Sequence, residues 1–268
     1  MNRNEIGRRS NLSYEQFLKE YLIPGKPVVL TGVMEDWPAM SKWGTDYFKS
    51  TLGNQKVQVA VSENGMFPSK PEQGWQATDY EQMDFHDYLS MIENPEKLKK
   101  IYYLQHKSLP DVFPELLNDI QSPIYIKSPS PTINLWIGSG GNITPIHYDF
   151  SSNFLAQVTG KKKVFLFEPS QSRNLYALSV RSKNANLSPI NTLNPDFSKH
   201  SKYKDVPYYE CTLEPGEMLF IPLFWWHWVN TISREATISI NYWWNGAIKP
   251  WFSKQGIKTL YLLSLQGK

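Results

Sequence analysis

From residue 131 onward the chain breaks into eight short strand-like runs separated by turn signals, and this feature narrows the fold more than any other. The runs span residues 133–137, 146–150, 154–158, 164–167, 208–213, 218–221, 228–231 and 237–244. Strands of this length and spacing, rich in β-branched and aromatic residues, predict a mainly β fold with two facing sheets, a jelly roll or barrel. Residues 170–205 interrupt the series. That stretch is rich in Ser, Asn and Lys, carries Pro189 and Pro195, and reads as a long insert of the kind that often has a functional role.

The first 130 residues have a different texture and supply the flanking helices. Ser13-Tyr14-Glu15-Gln16 has the capping-box pattern, followed by helical spacing to about Leu22 and a stop at Pro24-Gly25. A short strand is expected at 27–30, a helix at 43–52, a strand through Val57, Val59 and Val61, a loop over 62–78, a helix over 80–91, a strand at 101–105 and a short helix from 110 to about 120. With no internal repeat and 268 residues, the chain reads as one domain over 1–248: an N-terminal part, 1–130, and a jelly-roll core, 131–248. In the tail, 249–268, Trp251, Ile257, Leu260 and Leu263 recur at near-helical spacing, which suggests packing on the barrel or a homodimer formed through this segment.

Composition excludes some classes. A net charge of +3 is too mild for a chain built around phosphate contacts, and the basic clusters Arg8-Arg9 and Lys97, Lys99, Lys100 read as solvated surface. The single cysteine, Cys211, leaves no internal disulfide and reads as a small buried filler in an alternating run, consistent with a reducing, cytoplasmic setting. No apolar run reaches the ~18 residues that a transmembrane helix needs.

The chemistry lies in two fragments far apart in the chain. In Thr144-Pro145-Ile146-His147-Tyr148-Asp149, residues 147 and 149 share one face of the expected strand. In Pro222-Leu223-Phe224-Trp225-Trp226-His227, a second imidazole follows the run at 218–221. Two histidines and one carboxylate are the ligand set of a facial triad for non-haem Fe(II). An H-x-D pair alone is a weak signal: His147 would equally read as a satisfied buried histidine and Asp149 as a turn acceptor. Lys162 adds weight. It falls in register with Val164 and Leu166, so its side chain is expected to enter the barrel, where an unpaired charge is costly and an anionic ligand would satisfy it. Asn241, between Ile240 and Tyr242, is likewise a polar side chain in an apolar strand and needs partners. His86, His106 and His200 fall outside any ligand spacing and read as surface residues.

Together these stretches resemble the JmjC branch of the Fe(II)- and 2-oxoglutarate-dependent oxygenases, within the cupin superfamily, and in particular its small hydroxylases acting on asparaginyl side chains or on tRNA wybutosine. The likeness runs from Pro27-Val28-Val29-Leu30 and Asp36-Trp37-Pro38 to Trp244. It is densest in 141–149, in Asn153-Phe154-Leu155-Ala156-Gln157-Val158 with Gly160-Lys161-Lys162, in 215–222 and in Trp225-Trp226-His227. The resemblance implies a double-stranded β-helix. It implies His147, Asp149 and His227 as iron ligands, and Lys162, Thr144 and Tyr103 as partners of the far carboxylate of 2-oxoglutarate. Asn153 and Asn241 would line the cosubstrate site, with Gln105 and Trp243 on the substrate side. The activity implied is hydroxylation of a C–H bond with O2, giving succinate and CO2. The Arg-Gln pair by which the asparaginyl enzymes grip their target is not evident in Val180-Arg181-Ser182-Lys183-Asn184. The expected substrate is a protein or peptide; an RNA nucleoside or a small molecule is the alternative. A non-catalytic metal-binding cupin ranks last, because triad and lysine are both present.

Overall fold

The computed structural model describes residues 3–179, 182, 184–246, 249–252 and 256–257. Among the described residues, fourteen strands form two sheets. In chain order they are β1 (Arg3–Glu5), β2 (Arg8–Ser10), β3 (Val28–Thr31), β4 (Lys56–Ser62), β5 (Asp79–Asp84), β6 (Ile101–Ser108), β7 (Thr132–Gly138), β8 (Ile143–Tyr148), β9 (Ser152–Thr159), β10 (Lys162–Phe167), β11 (Tyr208–Leu213), β12 (Met218–Ile221), β13 (Trp226–Thr231) and β14 (Thr237–Trp244).

The last eight strands face each other four against four. β11-β10-β13-β8 lie in the smaller sheet and β12-β9-β14-β7 in the larger, which is the jelly roll expected from the strand spacing. The N-terminal strands widen this core. β1 pairs with β11; β2 and β3 extend the larger sheet beyond β12; β6, β4 and β5 extend it beyond β7.

Burial follows the period-2 alternation of each strand. Along β9, Phe154, Ala156 and Val158 enter a large apolar cluster outside the larger sheet. There they meet Phe17, Phe48, Phe85 and Tyr88 from the helical N-terminal part. Leu155 points the other way, between the sheets, with Val164, Leu166, Leu213 and Leu219. The outer face of the smaller sheet (Ile146, Tyr148, Phe167, Trp226) is covered by Leu175, Ile190 and Tyr203 of the insert. Each sheet is therefore covered on its outer face, and the space between them tapers from packed apolar residues to an open end.

The capping box at Ser13 is made in full, with Gln16 and Ser13 exchanging side-chain to backbone bonds. The segment expected to be helical over 80–91 is divided: Asp79–Asp84 is a strand and the helix runs only from Phe85 to Ile92. The reason is tertiary. Residues 79–84 pair along the length of β4 and form the exposed edge of the larger sheet, an alignment the local sequence does not announce. The helix expected over 43–52 starts at Thr45, with Ala39–Lys42 forming a separate turn before it. Most of the tail, including Leu260 and Leu263, lies outside the described residues; Trp251 packs edge-on against Phe224 at 5.1 Å.

Candidate active site

At the open end of the jelly roll, β8 and β13 are neighbours, and their ladder places His147 directly opposite His227. Asp149 follows one residue after the end of β8. His147 Nε2 lies 3.8 Å from Asp149 Oδ1, and His227 Nε2 lies 3.7 Å from Asp149 Oδ2. The imidazole centroids are 4.1 Å apart, and one donor atom from each of the three residues falls within 4.8 Å of the others. In each ring Nδ1 is committed, donating to Pro145 O at 2.8 Å in His147 and to Trp225 O at 3.1 Å in His227. Those bonds select the tautomer that leaves Nε2 as a lone pair facing the carboxylate, the arrangement that prepares a histidine for a metal. Burial, reinforced by the adjacent His227 ring, pushes the His147 pKa down to about 4 despite the nearby Asp149. The ring is neutral at physiological pH, and a ligating imidazole must be neutral.

A cavity of about 310 Å³ opens over these three residues and continues inward to Lys162. Gly160, at φ +69°, makes the tight connection between β9 and β10, and Lys162 opens β10. Only 3 % of Lys162 is exposed. Its Nζ donates to Ser239 Oγ at 2.5 Å, across from the opposite sheet, and to Tyr103 Oη at 3.3 Å. Among the described residues no carboxylate pairs with it, and burial lowers its pKa to about 7. Thr144, on the same strand as His147, lines the same cavity. One buried amine and a set of hydroxyls meet at this end, groups that could hold an anion.

The remaining predicted residues all line the cavity. Asn153 Nδ2 donates to Asp149 Oδ2 at 3.0 Å, and Asn241 Nδ2 donates to Asn153 Oδ1 at 2.6 Å. Trp243 Nε1 also donates to Asp149 Oδ2, at 3.0 Å. Gln105 stands at the mouth, where its Nε2 donates to Tyr80 Oη at 3.3 Å.

His106 is a surface residue, as the sequence suggests, and it also lines the cavity. Its ring lies parallel to Trp136 (interplanar angle 2°, centroids 5.9 Å) and edge-on to Trp243 at 4.9 Å. The cause is a bulge in β6. Leu104 pairs with Ile137 and Lys107 with Leu135, so Gln105 and His106 together oppose Trp136 and both turn to the site. His106 takes φ +55° to do so. A bulge breaks the alternation on which strand reading depends, so neighbour counting could not find this residue. Ser239, two residues before Asn241 on the same face of an apolar strand, did carry a signal. Trp75, whose indole meets His147 edge-on at 5.1 Å, comes from the irregular segment before β5 and carried none.

With the geometry in place, comparison with known proteins defines the class. Residues 14–249 match the family of cupin-like domains. Over 247 residues the chain is 34% identical to the lysine-specific demethylase JMJ30 of Arabidopsis thaliana, covering 90% of this chain and 54% of that protein. It is 31% identical to the human tRNA wybutosine-synthesizing protein 5, over 89% of this chain and 77% of the relative. It is 25% identical to the human bifunctional peptidase and (3S)-lysyl hydroxylase JMJD7, over 85% and 80%. The chain belongs to the cupin-like family and stands with its JmjC members. It spans about half the length of the demethylases it matches.

Proposed function

We propose that this chain is an Fe(II)- and 2-oxoglutarate-dependent oxygenase that hydroxylates a C–H bond on a protein or peptide side chain, with succinate and CO2 as co-products. The observation that carries the proposal is the coexistence, in one cavity, of two imidazoles with one carboxylate and, deeper, a buried lysine that among the described residues has no anionic partner. The first set fits a divalent metal with open coordination positions. The second fits the far carboxylate of a dicarboxylic cosubstrate.

His147, Asp149 and His227 would hold the iron. Lys162, Tyr103 and Thr144 would fix the cosubstrate, Ser239 holding the ammonium in place from across the barrel. Iron with 2-oxoglutarate supplies the activation of O2. The chain's own residues orient the reactants, keep the histidines in the ligating tautomer and wall the centre with Trp75, Trp136 and Trp243. Among the described residues, the outer part of the cavity, lined by Trp75, Thr78, Tyr80, Gln105, His106 and Asn186, contains no lysine or arginine. An RNA substrate would need cationic groups there for its phosphates, which favours a protein or peptide.

The test is an anaerobic titration of the full chain with Fe(II) and 2-oxoglutarate, following the visible charge-transfer band. The wild type is expected to develop the band; Asp149→Ala should lose it and Lys162→Ala should require far more cosubstrate. A folded, metal-binding wild type with no band would overturn the 2-oxoglutarate reading and leave a metal-binding cupin.

A further inference from the structure

Asp149 is held in a way that the roles expected for Asn153, Asn241 and Trp243 leave unexplained. Its Oδ2 accepts two bonds, from Trp243 Nε1 and from Asn153 Nδ2, each at 3.0 Å. The two donors are direct partners in the β9–β14 ladder, Asn153 opposite Trp243, so one rigid stretch of the larger sheet presents both. Asp149 itself directly follows the end of β8, a strand of the smaller sheet. The pair of bonds therefore ties the metal carboxylate across the open end of the jelly roll.

Asn241 completes the arrangement. Its Nδ2 donates to Asn153 Oδ1 at 2.6 Å, and the Asn153 amide can satisfy that bond only by turning its NH2 group toward Asp149. The Trp243 indole is confined by the edge-on contacts of His106 at 4.9 Å and Trp136 at 6.5 Å. Both donors to Asp149 are thus fixed before any ligand arrives. Hydrogen bonds to a carboxylate are the stronger kind, and two of them on one oxygen leave the other, Oδ1, available beside His147 Nε2.

We propose that Trp243, Asn153 and Asn241 form a brace that orients Asp149, so that Trp243 is a positioning residue for the metal centre and not only an aromatic wall for substrate. The inference rests on the triad being a metal site. Removing the indole N–H while keeping the ring should free Asp149 to rotate and lower metal affinity by about 10- to 100-fold, the range found for outer partners of metal ligands.

Trp243→Phe and Asn241→Asp are the variants, and Co(II) is the probe. Binding to the 268-residue chain is measured by anaerobic calorimetry and by the visible d–d spectrum, with apo-protein melting temperature recorded alongside. The expected result is weaker Co(II) binding and an altered spectrum in both variants, at unchanged melting temperature. A wild type and variants with equal Co(II) affinity and superimposable spectra would overturn the brace while leaving the metal site intact. A wild type that takes up no Co(II) would overturn the metal reading itself and the brace with it. Should Trp243→Phe melt early, Asn241→Asp, which touches neither the metal ligand nor the aromatic wall, decides between these outcomes.

Discussion

Lys162 concentrates the energetic conflict of this site in one side chain. Its folded pKa, about 7, lies below the ordinary lysine value of 10.5 because burial penalises the ammonium. The unfolded chain holds that proton up to pH 10.5, so the penalty is complete below about pH 7 and fades as pH rises toward 10.5. Lys162→Met should therefore be more stable than wild type at pH 6, by at most about 5 kcal/mol given ~1.4 kcal/mol per pKa unit, with the gap closing by pH 10. Denaturant titrations at the two pH values check this; an equal gap at both would exclude the ammonium as its source. The same titration governs ligand. Only the protonated amine pairs with a carboxylate, so 2-oxoglutarate affinity should weaken by up to about tenfold per unit as pH rises above 7. Binding measured from pH 6 to pH 9 should show that slope, and Lys162→Met should remove it along with most of the affinity.

Among the elements, the helical N-terminal part has its own anchor. Asp119, only 2 % exposed, accepts bonds from Lys42 Nζ (2.8 Å), Trp43 Nε1 (3.1 Å) and Tyr47 Oη (2.7 Å). It pins the segment that leads into β7 against the helix Thr45–Leu52. Burial opposes its ionisation, but those three donors outweigh burial and hold its pKa below the usual carboxylate value. This contribution is present above the ordinary pKa of 3.8 and is lost as pH falls through the lower folded value. Asp119→Ala should cost about 2 kcal/mol at pH 7, because it strands the buried Trp43 indole N–H, and much less near pH 2. Urea unfolding at both pH values measures the difference; equal losses would mean a packing effect alone. At this scale the sequence was read correctly where one element decides its own state, as in the capping box at Ser13. It was misread at 79–84, where β4 decides, and it did not announce that exposed His106 reaches the cavity, which the β6 bulge decides.

The whole molecule adds an interlock between segments more than a hundred residues apart. Asn184 Oδ1 accepts from the Trp75 backbone N–H at 3.1 Å, and Asn184 Nδ2 donates to Gln76 Oε1 at 2.9 Å. Asn186 Nδ2 donates to Tyr148 O at 3.0 Å, between His147 and Asp149. Insert and loop together thus hold Trp75 against His147. Asn184→Ala is expected to raise backbone hydrogen exchange in 71–78 and in 184–188 together, with β9 and β14 unchanged. Faster exchange in only one of the segments would count against a shared lock.

The sequence by itself determined the strand architecture, because it is written in short periods. Alternation marked β7 to β14, and the spacing of His147 and Asp149 put both on one strand face. The intrusion of Lys162 and Asn241 into apolar strands marked polar groups in need of partners. Only the tertiary structure decided that His227 stands opposite His147, that Ser239 reaches Lys162 from the other sheet, and that His106 and Trp75 belong to the cavity. It also decided that Asn153 and Trp243 converge on Asp149. Those relations depend on register between strands distant in the chain, on a bulge and on irregular loops, and no local period carries that information.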